Sequence, residues 1–451
     1  MIPDDVDFPA LTAALLDAAR SAGAQDADAV AVSASSLSVE VRDGALEHAD
    51  RADGTELGLR VLVGGRQACV AASDLSPDTI RDMAERAVAM AREAPVDDAL
   101  ALAPADALAR PGADDPLQLV DTDAAPLPAA LQDIALRAEA AAAGVAGVRV
   151  VDSANASYSA RRLYLATSNG FSAGYGRTSH SVSVVAITGE GTGMERDWAA
   201  EARVWAEDMP TAEELGRLAG ERTVARRGAR KPPTGAFPVL YDERISAGLI
   251  GHLLSAANGS AVARGASWLR ECLGEAVLPA GLDLTEDPHR PRQNASRPFD
   301  AEGLPTRPRA IVQAGVLQGW TLDIATANKL GMESTASAVR GTSSPPSPGV
   351  SNVALTPGTA SRDNLIRDMG RGLVVTSLMG ASINPTTGDY SRGASGFWVE
   401  NGQMAYPVNE CTIAGNLRDM LIRITPADDL PVWRTHRVPS LLVEGLTIAG
   451  S

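Results

Sequence analysis

The sequence predicts an α+β fold in which helix and antiparallel-sheet units precede a β-rich, barrel-like C-terminal domain. Two observations support this prediction. In the first half of the 451-residue chain, helices with clear end signals alternate with paired strand-like runs that meet at glycine turns. From Gly235 onward, the strands are short and separated by many Gly and Pro turns, a pattern typical of sandwiches and barrels.

Residues 1–95 form the predicted N-terminal α+β domain. Residues 8–22 have helical apolar spacing and end at Gly23, while Ser76 and Pro77 supply the N-cap and first position of a second helix. Between the helices lie four strand-like runs and two turns, at Asp43-Gly44 and Gly64-Gly65. The runs are Ala29–Ala34, Leu37–Val41, Leu57–Val63 and Gln67–Ala72.

Residues 96–128 have the Ala, Pro and Asp content of a linker, and residues 129–228 form the predicted central α+β domain. Its signals are a helix over 129–143, strands near 147–158 and 161–168, an Asn169-Gly170 hairpin turn, a strand ending at Ile187, and a capping box formed by Thr211 and Glu214. The basic cluster that follows is interpreted as a solvated linker. It contains Arg226, Arg227, Arg230 and Lys231.

Residues 235–451 form the predicted β-rich C-terminal domain. It opens with a strand at Phe237–Tyr241 and a helix around 244–257, and Pro345–Gly349 is predicted to be an exposed loop. Further strand-like runs are Arg309–Val312, Gly372–Leu378, Gly396–Glu400 and Leu441–Leu446.

Net charge, cysteine spacing and the lengths of the apolar runs limit the classes of function that the chain can have. The chain is 45% hydrophobic with a formal net charge of −16, and such acidity disfavours direct binding of nucleic acid. The three cysteines are far apart and form no CxxC pair, so neither a disulfide framework nor a zinc ribbon is indicated. The start of the sequence resembles no signal peptide, and no 18-residue apolar run occurs. We therefore expect a cytoplasmic protein without membrane contact.

The most informative text is the run TGDYSRGA at 387–394, followed by GFWVENG at 396–402, which ends on an Asn-Gly turn signal. Together they resemble the C-terminal signature of the TldD/PmbA family, and the resemblance extends over nearly the whole chain. It is strongest where several stretches follow one another in the family's order. They are SNGFSAGYGR (168–177), PFDAEGLPT (298–306), the segment 372–402 and ECTIAGNLRDM (410–420).

The resemblance implies a pair of subunits that acts as a peptide-cutting zinc protease, of which only the TldD-type member holds the metal. That member carries a helical His-Glu-x-x-x-His segment and a later cysteine, which supply zinc ligands and a general base. Here the two histidine positions fall on Ile250 and Ser255 and the glutamate position on Gly251. The chain therefore resembles the metal-free TldE/PmbA type, so we expect no cofactor in this chain and zinc in its partner.

Other candidate residues have ordinary structural interpretations. We expect His252 to lie on a helix face or at an interface, Cys411 to pack as a small apolar residue, and His436 to be exposed. Gly189–Gly193 is interpreted as a hairpin tip. The acids Asp283, Glu286 and Asp287 are interpreted as parts of a solvated loop.

The TGDYSRG segment is predicted to be a loop that contacts substrate or partner, although a self-satisfied turn is the favoured alternative. Its candidate contact residues are Asp389, Tyr390, Ser391, Arg392 and Gly393. No residue of this chain is assigned a catalytic role.

The resemblance implies a heterodimer with a TldD-type zinc subunit that trims unfolded or leader peptides, in which an extended peptide adds as a strand to an exposed edge. Two alternatives stay open. One is a non-enzymatic adaptor that acts through another protein, in line with the family's label as a modulator of DNA gyrase. The other is a stand-alone hydrolase or homodimer with an unrecognised site.

Overall fold

The computed structural model describes residues 6–110, 112 and 116–450. Its α-helices are α1 (Phe8–Ala22), α2 (Pro77–Glu93), α3 (Pro128–Ala143), α4 (Ala212–Ala225), α5 (Glu243–Ala256), α6 (Gly259–Ala263), α7 (Ile324–Leu330), α8 (Arg362–Met369) and α9 (Leu417–Leu421).

The strands are β1 (Asp26–Arg42), β2 (Ala45–Val63), β3 (Arg66–Ala72), β4 (Val150–Thr167), β5 (Ser172–Thr188), β6 (Glu195–Arg203), β7 (Gly235–Tyr241), β8 (Leu284–Glu286), β9 (Arg309–Gln313), β10 (Val316–Leu317), β11 (Ala338–Val339), β12 (Ser347–Pro348), β13 (Val353–Leu355), β14 (Gly372–Ile383), β15 (Asp389–Glu400), β16 (Gln403–Asn416), β17 (Ile424–Pro426), β18 (His436–Arg437) and β19 (Leu441–Ala449).

The first two predicted α+β units share one antiparallel sheet, in the order β3-β2-β1-β4-β5-β6. The connection is made by β1, which pairs with β2 on one side and with β4 on the other. The predicted runs Ala29–Ala34 and Leu37–Val41 are parts of this single strand, because the serines between them pair in register across both neighbours. Helices α1 and α2 pack on the β1–β3 part of one face, and α3 and α4 pack on the part made by β4–β6 and the end of β1 at Val39 and Val41.

The other face of this sheet contacts the C-terminal domain. Alternate residues of β1 therefore have different neighbours: Ala29 and Ala31 pack under the helices, whereas Val30 and Val32 pack with Phe171 and Phe299. Because both faces are covered, Ala29–Val32 of β1 is apolar at every position instead of alternating with polar residues.

The predicted barrel is confirmed. The strands follow the order β16-β15-β14-β7-β19, and β19 pairs with β16 to close the ring. Trp398, Val239 and Leu441 lie fully buried in the main core of this domain. The turn between β15 and β16 has positive φ at both Asn401 (53°) and Gly402 (73°), as a type I′ turn requires.

Three interpretations of polar or loop segments were wrong at particular residues, which distant residues bury, whereas the neighbouring Arg227, Arg230 and Lys231 are exposed as expected. Arg226 is buried and donates to the Ser395 hydroxyl at 2.8 Å. Glu286 is buried in β8 and accepts from Arg309 Nε at 2.7 Å. Pro346 and Pro348 are buried, and β12 pairs with β11. Among the described residues, no helix is both long and apolar enough to span a membrane.

Candidate functional site

Helix α5 carries the positions at which the resemblance places a metal motif. It begins after Asp242, whose carboxylate accepts the backbone N–H of Arg244 at 3.3 Å as an N-cap. One side of the helix packs into the main core through Leu249, Ile250, Leu253 and Leu254. The spacing of three and four residues is the usual pattern of a helix with one buried face.

The opposite side of α5 is only partly covered. We call Gly248, Gly251, His252 and Ser255 the open face of α5: Gly248 and Ser255 are exposed, and Gly251 and His252 are partly buried. A Cβ atom placed on Gly251 would meet no other atom within 4 Å. Of the three motif positions, Gly251 and Ser255 thus belong to this face, whereas Ile250 is 1% exposed and belongs to the core.

The predicted TGDYSRG loop is mostly a strand, which corrects the interpretation of Tyr390–Gly393. These residues belong to β15, which pairs with both β14 and β16. The loop itself is confined to residues 384–388. Tyr390 is buried, and the hydroxyl of the buried Tyr241 donates to its hydroxyl at 3.4 Å. Burial raises the pKa of both phenols, so both stay protonated at neutral pH.

Strand β15 and helix α5 meet at His252. Its imidazole lies edge-on to the Tyr390 ring, with 5.8 Å between ring centroids. Burial lowers the pKa of His252, and the positive charge of Arg392 lowers it further. The imidazole is therefore held neutral, and the helix-face expectation for His252 agrees with its position.

Arg392 has a buried Nε with no hydrogen-bond partner among the described residues, so this guanidinium can donate a further hydrogen bond. Asp389, in contrast, is engaged locally: its carboxylate accepts from the Thr387 hydroxyl at 2.6 Å and from the Asn416 amide at 3.1 Å. The backbone amides of the turn donate to Asn384 instead, so the turn is self-satisfied with Asn384 as the acceptor.

A zinc ion does not fit the residues of this site. The side chains at Ile250, Gly251 and Ser255 offer no imidazole or carboxylate, and His252 is one ligand where three protein ligands are usual. Burial raises the pKa of the Cys411 thiol to about 11, and its Sγ lies 3.2 Å from the Ala394 carbonyl oxygen. Across the described ranges, no three His, Cys, Asp or Glu side chains are grouped as a metal site would need.

The remaining site predictions have mixed outcomes. Gly191–Gly193 is a short helical turn at the β5–β6 hairpin tip, as expected. His436 is half-buried in β18, so its expected exposure was wrong, because β18 pairs with β13 inside the domain. Tyr241 and Trp268 were missed: Trp268 donates its backbone N–H to the Pro385 carbonyl at 2.8 Å and supports the 384–388 loop. The one sequence signal for Tyr241 was its position as the last residue of the predicted Phe237–Tyr241 strand.

The six-stranded sheet and the closed barrel coincide with the three domains of one metallopeptidase family. Three family models match the chain: PmbA/TldA metallopeptidase domain 1 over residues 27–91, the central domain over 121–227 and the C-terminal domain over 234–450. The chain belongs to the PmbA/TldD family, as the sequence resemblance predicted.

Curated relatives agree with this assignment. The chain is 35% identical over 436 residues to the metalloprotease PmbA of Escherichia coli O157:H7, with 95% of this chain and 94% of the relative covered. It is 34% identical to a metalloprotease PmbA homolog of Haemophilus influenzae, with 97% and 94% covered.

Solved structures share the fold over almost the full length. A candidate modulator of DNA gyrase from Bacteroides thetaiotaomicron aligns with a TM-score of 0.90 at 28% identity, covering 100% of both chains. TldE from Thermococcus kodakarensis aligns with a TM-score of 0.85 at 20% identity, covering 98% of this chain and 100% of that one.

Proposed function

We propose that this chain is the metal-free subunit of a two-subunit zinc protease, and that a TldD-type partner supplies the metal and the catalytic residues. One observation carries the proposal: the three motif positions of α5 hold Ile250, Gly251 and Ser255, and Ile250 is part of the hydrophobic core. A ligand at position 250 would have to leave that core before it could reach an ion.

The open face of α5 supports a role in shaping a cleft. It presents glycine backbone, one neutral imidazole and a serine hydroxyl, with Arg392 nearby. These groups can donate and accept hydrogen bonds. They include no activated nucleophile and no set of metal ligands. They suit contact with the backbone of a peptide whose sequence is not strongly selected.

The proposed substrate is an extended peptide, such as an unfolded chain or a leader. Strand β2 supports this choice because β3 pairs with it only from Leu57 to Val63. Residues 45–55 are paired with β1 on one side and are largely exposed, so their backbone can accept a further strand. A cytoplasmic site of action and the lack of nucleic-acid binding stay predictions from the sequence.

The test compares three preparations: this chain alone, a TldD-type subunit alone, and the co-expressed pair. Each is assayed for zinc by elemental analysis, for mass by light scattering, and for cleavage of an unstructured labelled peptide with and without a chelator. We expect a one-to-one complex with zinc in the partner and chelator-sensitive cleavage that requires both chains.

Two other results would contradict the proposal. Chelator-sensitive cleavage by this chain alone would favour the stand-alone or homodimeric hydrolase. A chain that forms no complex with the TldD-type subunit and leaves cleavage unchanged would favour the adaptor. Arg392→Gln in the pair is a useful variant, since it should slow cleavage while the zinc content of the partner stays the same.

A further inference from the structure

A cavity of about 250 Å³ lies between the helix-free face of the six-stranded sheet and the C-terminal domain. Leu163 and Tyr175 line it from the sheet, and Phe299 lines it from the other side. The cavity also contains four arginines, Arg161, Arg177, Arg297 and Arg340, and we call it the arginine cavity. None of the residues that line the arginine cavity belongs to α5, so the cavity is separate from the open face of α5.

The two sheet arginines are direct cross-strand neighbours. Arg161 of β4 pairs in register with Arg177 of β5, so their side chains leave the same face of the sheet. Like charges directly opposite each other destabilise a strand pair. Burial lowers the pKa of Arg177, and the charges of Arg161 and Arg297 lower it further, whereas its interaction with Tyr175 acts in the opposite direction.

Three of these guanidinium groups keep a buried N–H without a partner among the described residues: Nε of Arg177, Nε of Arg297 and Nη2 of Arg340. Arg297 is 8% exposed, and the side chain of Arg340 is 2% exposed. Arg177 Nη2 donates to the Ser296 carbonyl, and the other nitrogens of Arg297 and Arg340 are engaged as well. Arg297 donates to the carbonyls of Ala338 (3.1 Å) and Gly349 (2.8 Å), and Arg340 donates to Asp28. A buried charged donor without a partner lowers the stability of the fold, so these three N–H groups indicate that an acceptor is missing.

The nearby carboxylates do not meet this need. Asp28 is shared between Arg340 and Arg60, whose Nε donates to it at 2.5 Å. Asp300 already accepts three backbone N–H groups, those of Glu302, Leu304 and Ala338. Burial raises the pKa of Asp300, against the lowering effect of these backbone hydrogen bonds and of the Arg297 charge.

We propose that the arginine cavity binds one small oxyanion, a carboxylate or a phosphate, held by Arg177, Arg297 and Arg340, with Arg161 at the exposed edge. Guanidinium groups suit both chemistries, because their planar N–H pairs match two oxygens of either group. The aromatic rings of Tyr175 and Phe299 bound the site, so the ligand carries little beyond its charged group. The bound anion joins the sheet to the C-terminal domain.

Two of the stretches that carry the family resemblance, 168–177 and 298–306, line this cavity, and neither of them belongs to α5. Residues 168–177 and 298–306 meet where the Phe171 and Phe299 rings pack edge to face, 4.9 Å apart. Gly303 has φ +81°, and a Cβ there would lie 2.8 Å from the Phe171 ring. Their convergence gives these stretches a role that the metal motif does not explain.

The test measures binding of inorganic phosphate and of malonate to the purified full chain by titration calorimetry and by thermal shift at constant ionic strength. We expect one site per chain for at least one probe, with a melting temperature that rises with its concentration. Arg177→Gln should weaken that binding roughly tenfold or more, and Arg161→Gln by a few-fold. Arg196→Gln, on the exposed surface of β6, is the matched control and should bind as the wild type does.

Arg161→Gln keeps the test decisive if Arg177→Gln fails to fold, because Arg161 is exposed. The identity of the probe that binds assigns the ligand to the phosphate or the carboxylate class. Absence of binding for both probes, or binding that is equal in Arg161→Gln, Arg196→Gln and the wild type, would overturn the proposal. The measurement needs no partner subunit, so its result is independent of the proposed protease assembly.

Discussion

The open face of α5 and the arginine cavity are both candidate sites, yet their polar groups are satisfied in opposite ways. The polar positions of α5 are few and uncharged, and they border a helix whose other side is ordinary core. The arginine cavity concentrates four cations, three of which have an unpartnered buried N–H. The first region offers no charged group and no set of metal ligands of its own, while the second holds buried cations whose unpartnered N–H groups the proposed anion would satisfy.

This contrast suggests a division of labour within the chain. Ile250 occupies its motif position as an ordinary core residue, so the proposed loss of a ligand there carries no cost in stability. Buried cations persist only where counter-charge reaches them, from the chain or from a ligand.

The largest effect is expected at Asp28, the carboxylate shared by Arg60 and Arg340. Asp28→Asn leaves two buried guanidinium groups without their counter-charge and should lower the free energy of unfolding by about 3–5 kcal/mol, as loss of one partner in a buried pair does. Guanidinium denaturation followed by circular dichroism measures it. Asp53→Asn, in the exposed pair with Arg51, is the control and should leave the free energy of unfolding unchanged. Equal losses of stability in the two variants would contradict the account.

At Ile250 the expected loss is somewhat smaller. Ile250→His places a polar ring in the core and should lower the free energy of unfolding by about 2–5 kcal/mol. Ile250→Val, which keeps the site apolar, should cost about 0.5–1.5 kcal/mol. If Ile250→His were instead neutral and its protein retained zinc, the helix would be a metal site that a single change restores.

His252 should make stability depend on pH. Because burial and the charge of Arg392 lower its folded pKa below the unfolded value, the stabilising contribution is complete above the unfolded pKa of about 6.5 and is lost as pH falls through the folded pKa. Melting temperatures between pH 7.5 and 5 should therefore fall less steeply in His252→Gln than in the wild type. Ser255→Ala, on the same helix face, should keep the wild-type slope.

The smallest effect is expected at Gly251. Because a Cβ there meets no atom within 4 Å, Gly251→Ala should stabilise the helix by about 0.5–1 kcal/mol through backbone entropy alone. Thermal melting of the single chain measures this gain. A loss of stability would mean that the open face of α5 is more tightly packed than described.

Local signals predicted the elements whose ends are decided by neighbouring residues. Ser76 caps α2 through its contact with the Thr79 amide, and Thr211 with Glu214 forms the capping box of α4. The α+β class and the barrel were confirmed because alternating runs and turn residues encode them directly.

Distant contacts account for what the sequence did not predict. Arg226 looks like part of a solvated basic linker until β15 brings Ser395 beside it, and Tyr390 looks like a loop residue until β14 and β16 pair with its strand. The arginine cavity was missed for the same reason, since Arg177 and Arg297 are 120 positions apart and only the fold unites them.

Zinc content across the three preparations tests the central claim most directly. Elemental analysis of this chain alone, of a TldD-type subunit alone and of the purified pair should find the metal only where the TldD-type subunit is present, at one ion per pair. One equivalent of zinc bound by this chain alone, and lost together with peptide cleavage on chelation, would contradict the account.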